Sequence, residues 1–278
     1  MKKSILHLAT TAAMVGGLAF AVSGSVVAGI ADTKHNLGSS QSVGTNAQHS
    51  GTAEICVFCH TPHGSATGAS VPLWNKTLPS VGSYTTYDTL GTSSLDGNVA
   101  SVGSVSLACL SCHDGSQAMD TMLNAPGSGN TALGTSGWSN SGTGGIIAGT
   151  AESFPNLGVN LTNDHPVGIE YAGGGCGAGA ACSVSTSAND KDFKDAAWKT
   201  INGKDVWWVD VASGATLSGT VTIVGNAGTR EKTDMQLYTR NSGPYVECAS
   251  CHDPHVENDT FLRVENDSST VCLSCHVK

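Results

Sequence analysis

Cysteine and histidine recur in this chain at one fixed spacing, Cys-x-x-Cys-His. The motif occurs four times: at Cys56, Cys59 and His60; at Cys109, Cys112 and His113; at Cys248, Cys251 and His252; and at Cys272, Cys275 and His276. Two thiols three residues apart, followed at once by an imidazole, are what attaches c-type haem. The thiols add across the porphyrin vinyl groups and the histidine reaches the iron from one face. Four such pairs could instead build two all-cysteine zinc sites, but that leaves a histidine after every pair without a role. The expectation is four covalent haem c groups, with the eight cysteines as thioether anchors and His60, His113, His252 and His276 as proximal ligands.

The remaining ligands can be counted. Of ten histidines, His7 lies in the N-terminal apolar segment and four are proximal, so His35, His49, His63, His165 and His255 are spare. Four irons with a histidine on each side need four of these. His63 and His255 each follow a proximal histidine by three residues with a proline between. That stretch is too short and stiff to run round a macrocycle, so each is expected to bind a neighbouring haem. His165, in a long loop, and His35 complete the expected distal set, and His49 is the spare. Met119, Met122 and Met235 are the only soft alternatives after the N-terminal segment. Irons closed on both sides carry electrons rather than bind substrate. The supply of histidines and the lack of a Cys-x-x-Cys-Lys motif therefore speak against an enzyme such as a multihaem reductase. The two cysteines left over, Cys176 and Cys182, bracket a Gly- and Ala-rich loop and are expected to form a disulfide in an oxidising compartment.

What must position these groups is not an ordinary core. Glycine accounts for 35 of 278 residues, aromatics for 5% and charged residues for only 13%, so the polypeptide alone has little apolar surface to bury. The expected fold is mostly irregular coil with a few short helices and a small β-hairpin, wrapped around the four haems as core. Lys2 and Lys3, the apolar run to Val22 and the small residues Val26-Val27-Ala28 read as a secretory signal over residues 1–28. Residues 29–278 are then one tetrahaem domain with an N-terminal arm over 29–55. Without 1–28 the chain keeps 11 basic and 22 acidic residues, a surface that repels nucleic acid and anionic membrane. No later segment is long and apolar enough to span a bilayer. The expected location is outside the cytoplasm, extracellular or periplasmic.

Along the chain, 29–55 reads as an extended arm and Val71–Asn75 as an apolar cover for a porphyrin face. Residues 80–104 and 124–150 read as loop. Gln117–Leu123 reads as a short helix, Asp195–Thr200 as a helical turn, and Lys204–Asp210 as pairing with Gly219–Val224 in a hairpin. The order Lys-His-Asn-Leu, Cys-x-x-Cys-His-Thr-Pro-His, Cys-x-x-Cys-His-Asp-Gly, Asp-His-Pro-Val-Gly, Cys-x-x-Cys-His-Asp-Pro-His, Cys-x-x-Cys-His resembles the doubled-CXXCH multihaem cytochromes. It is most similar to the extracellular tetrahaem cytochromes of metal-reducing bacteria that polymerise into conducting filaments. That resemblance implies bis-histidine haems, a coil-rich fold and a ligand donated by the neighbouring subunit. With haems attached near both ends of the chain, a head-to-tail contact can propagate. His35 is expected to reach a haem of the next subunit, that of the fourth motif, and redox proteins or extracellular acceptors are the other expected partners. A monomeric periplasmic shuttle is the alternative.

Overall fold

The strongest apolar run in the second half of the sequence, Val206-Trp207-Trp208-Val209, marks where the chain builds its largest regular element. The computed structural model describes residues 29–44, 46–127, 133, 135–149, 154–164, 166–211, 221–222, 229–241 and 243–277. The expected signal segment, His165 and most of Gly219–Val224 lie outside these. Strand β1 (Gln48–His49) pairs with β2 (Trp138–Ser139). Then come β3 (Ile169–Glu170), β4 (Ala197–Ile201), β5 (Lys204–Val209), the pair β6 (Val221–Thr222) and β7 (Thr229–Arg230), β8 (Met235–Arg240) and β9 (Gly243–Val246). A five-stranded sheet runs β3-β9-β8-β5-β4, with every neighbour antiparallel. Helices α1 (Ser104–His113), α2 (Cys248–Cys251) and α3 (Thr270–Cys275) are short, and most of the remaining described chain is turn and coil. Among the described residues no helix is long and apolar enough to cross a membrane.

Three local expectations are corrected. Asp195–Thr200 is not a helical turn, because Ala197–Ile201 is strand β4. Its partner is β5, in a hairpin whose two-residue loop is Asn202-Gly203, with φ of 50° and 73°. Positive φ at both loop positions matches the twist of antiparallel strands, and Asn-Gly reaches it cheaply. The other neighbour of β5 is β8, so the expected pairing with 219–224 is not made. Gln117–Leu123 is a turn region, and the helix precedes the second motif instead of following it. Val105, Leu107, Ala108 and Leu110 are buried on several sides of α1, which is where an all-round apolar helix belongs. Gly115, at φ 70°, ends it.

Packing on the sheet follows the alternation of its strands. Trp207 and Val209 of β5 join Met235 and Leu237 of β8 in one buried cluster with Tyr171, Ala196 and Cys182. Trp208, on the opposite face, is buried too, so the sheet is covered on both sides. Cys176 and Cys182 are bonded with Cα atoms 5.1 Å apart, inside disulfide range. They belong to this cluster rather than to a surface loop. The edges of the cluster touch Cys251 and Cys275, so the sheet is also the platform for the third and fourth motifs.

The arm is compact, not extended. Ser39 donates its amide to Thr52 O (2.7 Å) and His49 to Leu37 O (2.8 Å), which folds 37–39 onto 49–52. Buried Asn36 accepts from the Gly38 amide and donates to Ala31 O.

One carboxylate joins the second motif to the third. Glu247, on the N-terminal side of α2, is buried and accepts Ser106 Oγ (2.6 Å) and the Gly103 amide (3.3 Å) from the start of α1. It also pairs with Arg240 (3.0 Å) and completes a capping box with Ser250. Burial raises its pKa, against the pull of Ser106, Arg240 and Gly103. Replacing Glu247 with Ala leaves these donors without their acceptor. The variant is expected to lose about 3 kcal/mol, read as a lower denaturant midpoint at unchanged slope.

Candidate metal centres

Each Cys-x-x-Cys-His is one turn of helix, and this local fold carries the chemistry. His60 N donates to Cys56 O (2.8 Å), His252 N to Cys248 O (3.1 Å) and His276 N to Cys272 O (2.9 Å). The second motif is the last turn of α1. Residues three and four apart lie on one face of a helical turn, so each turn presents two thiols and an imidazole together. None of the eight motif cysteines is in a disulfide. Burial pushes Cys59 and Cys275 up to about 12 and Cys251 to about 11, which leaves them as neutral thiols.

Three of the four turns are closed by the same antiparallel clamp. In the first, Thr61 N donates to Leu73 O and Asn75 N to Cys59 O, both at 2.8 Å. In the third, Asp253 N donates to Phe261 O and Arg263 N to Cys251 O, again both at 2.8 Å. In the fourth, Val277 N donates to Asp192 O (2.8 Å) and Lys194 N to Cys275 O (2.7 Å). The first and third clamps match further. Asn75 Nδ2 binds Val57 O (2.7 Å) where Arg263 Nε binds Ala249 O (3.1 Å). Leu73 and Phe261 occupy the same place at φ 56° and 59°, a conformation that costs a side-chain-bearing residue about 1–3 kcal/mol. The segment Val71–Asn75, read as an apolar cover, is thus the strand that pins His60.

A backbone carbonyl also sets the tautomer of three of the histidines, two of them clamped and His113 not. His60 Nδ1 donates to Pro72 O (2.7 Å), His113 Nδ1 to Pro155 O (2.8 Å) and His252 Nδ1 to Thr260 O (2.8 Å). A proton held at Nδ1 leaves the lone pair on Nε2, the usual second-shell arrangement of a metal-bound histidine. His255 is treated alike by a side chain, with Nδ1 at 2.9 Å from Asp253 Oδ1. Burial alone would raise Asp253, but the His255 ring and amide, with Arg263, hold it at about 2. His276 instead lies against the Phe193 ring, 4.1 Å between centres.

Two pairs of imidazoles face one another. His60 and His255 are stacked at 17° with ring centres 6.2 Å apart, and His35 and His113 lie edge to face at the same 6.2 Å. An imidazole nitrogen binds a first-row metal at about 2 Å and its ring centre lies about 1 Å behind, so two histidines sharing one metal have centres about 6 Å apart. His35 was expected to reach a haem of the next subunit; in this chain its partner ring is His113. Burial, then the nearby His113, His255 and His252, lowers His35 to about 3, so it is neutral, the form that binds a metal. Its Nδ1 is buried with no hydrogen-bond partner. His63 is exposed and, among the described residues, faces no other histidine ring. The spare His49 is buried, accepts the Gly51 amide at Nδ1 (2.9 Å) and packs against Trp138, as a structural histidine does.

The residues fit a porphyrin iron better than a bare ion. Among the described residues no group of three or more His, Cys, Asp or Glu converges to hold a metal, which removes support from the zinc alternative. Large exposed apolar side chains border the turns: Leu73 beside the first, Phe154 beside the second, Leu273 and Val277 at the fourth. Beside the fourth lies an open cavity of about 420 Å³ lined by Ser268, Ser269, Cys272, Leu273 and His276. The turns also follow one another in space. The thiols of Cys59 and Cys112 are within electrostatic reach, those of Cys109 and Cys248 are hydrogen-bonded, and Cys251 lies within reach of Cys272 and Cys275. The clamps, the tautomers and this serial order were not read from the sequence. Only the repeated Pro-His after two of the motifs hinted at them.

Residues 243–278 match the family of the doubled CXXCH motif. The match covers the third and fourth turns and indicates covalently held c-type haem, in a chain of the multihaem c-type cytochrome kind. No curated protein matches the chain.

The facing of His255 and His60 is testable across motifs. Changing His255 to Ala, next to the third motif, is expected to open the iron behind the first. The reduced protein should gain one carbon-monoxide-binding haem per chain. That signal should vanish when Cys56 and Cys59 are also replaced, and survive replacement of Cys272 and Cys275.

Proposed function

We propose that this protein is an exported electron carrier with four bis-histidine c-type haems, one on each Cys-x-x-Cys-His turn. The observation that carries the reading is the serial contact of the four turns. Thiols of turns one and two, two and three, and three and four lie within electrostatic reach of one another, so groups attached there form one file. Bound haem supplies a one-electron iron couple. The chain's own part is to hold His60, His113, His252 and His255 by their Nδ1 protons, to bring two pairs of imidazoles to the ring separation of two ligands on one iron, and to keep the file in order. The paired imidazoles leave no side for a substrate at the irons behind His60 and His113, which favours electron transfer over a reductase. The coil-rich backbone around these turns supports a fold in which haem supplies core.

We further propose that the carrier associates with copies of itself, as the extracellular filament-forming tetrahaem cytochromes it resembles do. Within one chain His35 pairs with His113 and His255 with His60, which leaves His63 and His165 for the irons behind His252 and His276. His63 is exposed on the first turn, and His276 lies beside the open cavity with exposed Leu273 and Val277. His63 of one copy entering beside His276 of the next would fill that cavity and join the files end to end. The contact is heterologous and need not close. This takes the joint away from His35, whose place in its own chain favours an intrachain role.

Matured protein should carry four haems per chain by pyridine haemochrome and mass. Assembled material should be entirely low-spin by electron paramagnetic resonance, and dilute monomers should show one high-spin haem. A His63→Ala variant should remain folded, fully loaded and monomeric with that high-spin haem, while His35→Ala should still assemble. Filaments of the His63→Ala variant would overturn the joint, and wild-type protein that never assembles would favour the monomeric shuttle. A high-spin haem that persists in wild-type assemblies would favour a reductase.

A further inference from the structure

One buried cation is not used by any of the contacts above. Lys76 has no exposed surface. Its Nζ lies 2.9 Å from Ala118 O, 3.3 Å from Met119 O and 2.9 Å from Thr121 O. Three carbonyls require three N–H donors, which only the ammonium form has. No salt bridge to a carboxylate neutralises it among the described residues. With all three donors engaged, it has none left for another acceptor, so it acts through space as a fixed positive charge.

Its position is set from both sides. Lys76 follows Asn75, whose amide is bonded to Cys59 O in the first clamp. The carbonyls of its cage belong to the turn that follows the second motif, where Thr121 N binds Ala118 O (3.0 Å). The charge of Lys76 is within electrostatic reach of both Cys59 and Cys112. Beside the third and fourth turns the nearby cations are Arg263 and the half-buried Lys194. Arg263 there is paired with Asp253 at 3.5 Å.

We infer that Lys76 sets the direction of the redox file: its caged ammonium holds the first two attachment sites at higher potential than the last two. The inference rests on the proposed haem loading. Reduction adds an electron, and an uncompensated positive charge in a poorly screened interior favours the reduced form of whatever lies beside it. Lys76 is a tuning residue that touches neither ligand nor anchor, and its effect is expected on two centres only.

The test is a potentiometric titration of matured protein, with the centres assigned by variants lacking one pair of motif cysteines. In wild type, the haems of turns one and two should be the two of highest potential; the opposite order would overturn the inference. Lys76→Met keeps the stem and removes the charge. It should shift the reduction equilibrium of those two haems downward by about tenfold or more, about 59 mV for a one-electron couple, and leave the other two in place. Lys76→Arg should restore them. If Lys76 were only an anchor for the 118–121 turn, the Met variant would melt earlier with unshifted or uniformly shifted potentials, which also overturns the inference. Should the Met variant not mature, the wild-type order still decides. Absence of haem from the wild-type chain would instead refute the functional reading beneath it.

Discussion

A histidine that gives its Nδ1 proton to a backbone carbonyl has only Nε2 left for a metal, and most of this structure serves that one hydrogen bond. Pro72, Pro155 and Thr260 supply the carbonyls, and each sits in a stretch with no other evident reason for its shape. The carbonyl must meet a ring at the end of a single helical turn. At His60 and His252 the chain therefore folds back as a short antiparallel strand in which one amide binds the cysteine carbonyl beside that ring. At His113 the Leu157 amide binds the carbonyl of the histidine itself. The positive φ of Leu73 and Phe261 is the local strain that this fold-back requires, and it recurs at the same place in two motifs far apart in sequence.

The rest of the fold can be understood as support for these clamps. A chain with this much glycine cannot nucleate a large apolar core, and its one substantial cluster lies on the five-stranded sheet, around the Cys176–Cys182 pair. From there β8 and β9 lead straight into α2 and the third motif, while Asp192–Lys194, just before β4, clamps the fourth. Glu247 ties the start of α1 to α2, so the second and third turns cannot move apart without stranding a buried carboxylate. The compact arm has a similar use, because it delivers the His35 ring to His113.

Charge distributes unevenly over this arrangement. Overall the chain is acidic, with 22 acidic residues against 13 basic, yet the interior beside the first two turns holds an ammonium with only neutral carbonyls for partners. Asp253 and Arg263 beside the third turn are paired with each other. The surroundings of the first and third turns thus differ in charge through the polypeptide itself.

The four turns could be read from sequence alone, because Cys-x-x-Cys-His encodes its own geometry: one helical turn is enough to bring two thiols and an imidazole together. The count of spare histidines was legible for the same reason, and so was the Cys176–Cys182 pairing, six residues apart. The Asn-Gly of the β4–β5 hairpin was a local signal present in the sequence but outweighed there by the apolar run further on. Tertiary structure alone decided which histidine faces which. His35 and His113 are 78 residues apart, and His60 and His255 are 195 apart. No periodicity relates such positions, and only the path of the turns between them does. The burial of Lys76 was hidden likewise. A lysine at the end of a short apolar run reads as solvated until three carbonyls from another loop close over it, and those carbonyls belong to the backbone, which looks the same in every sequence.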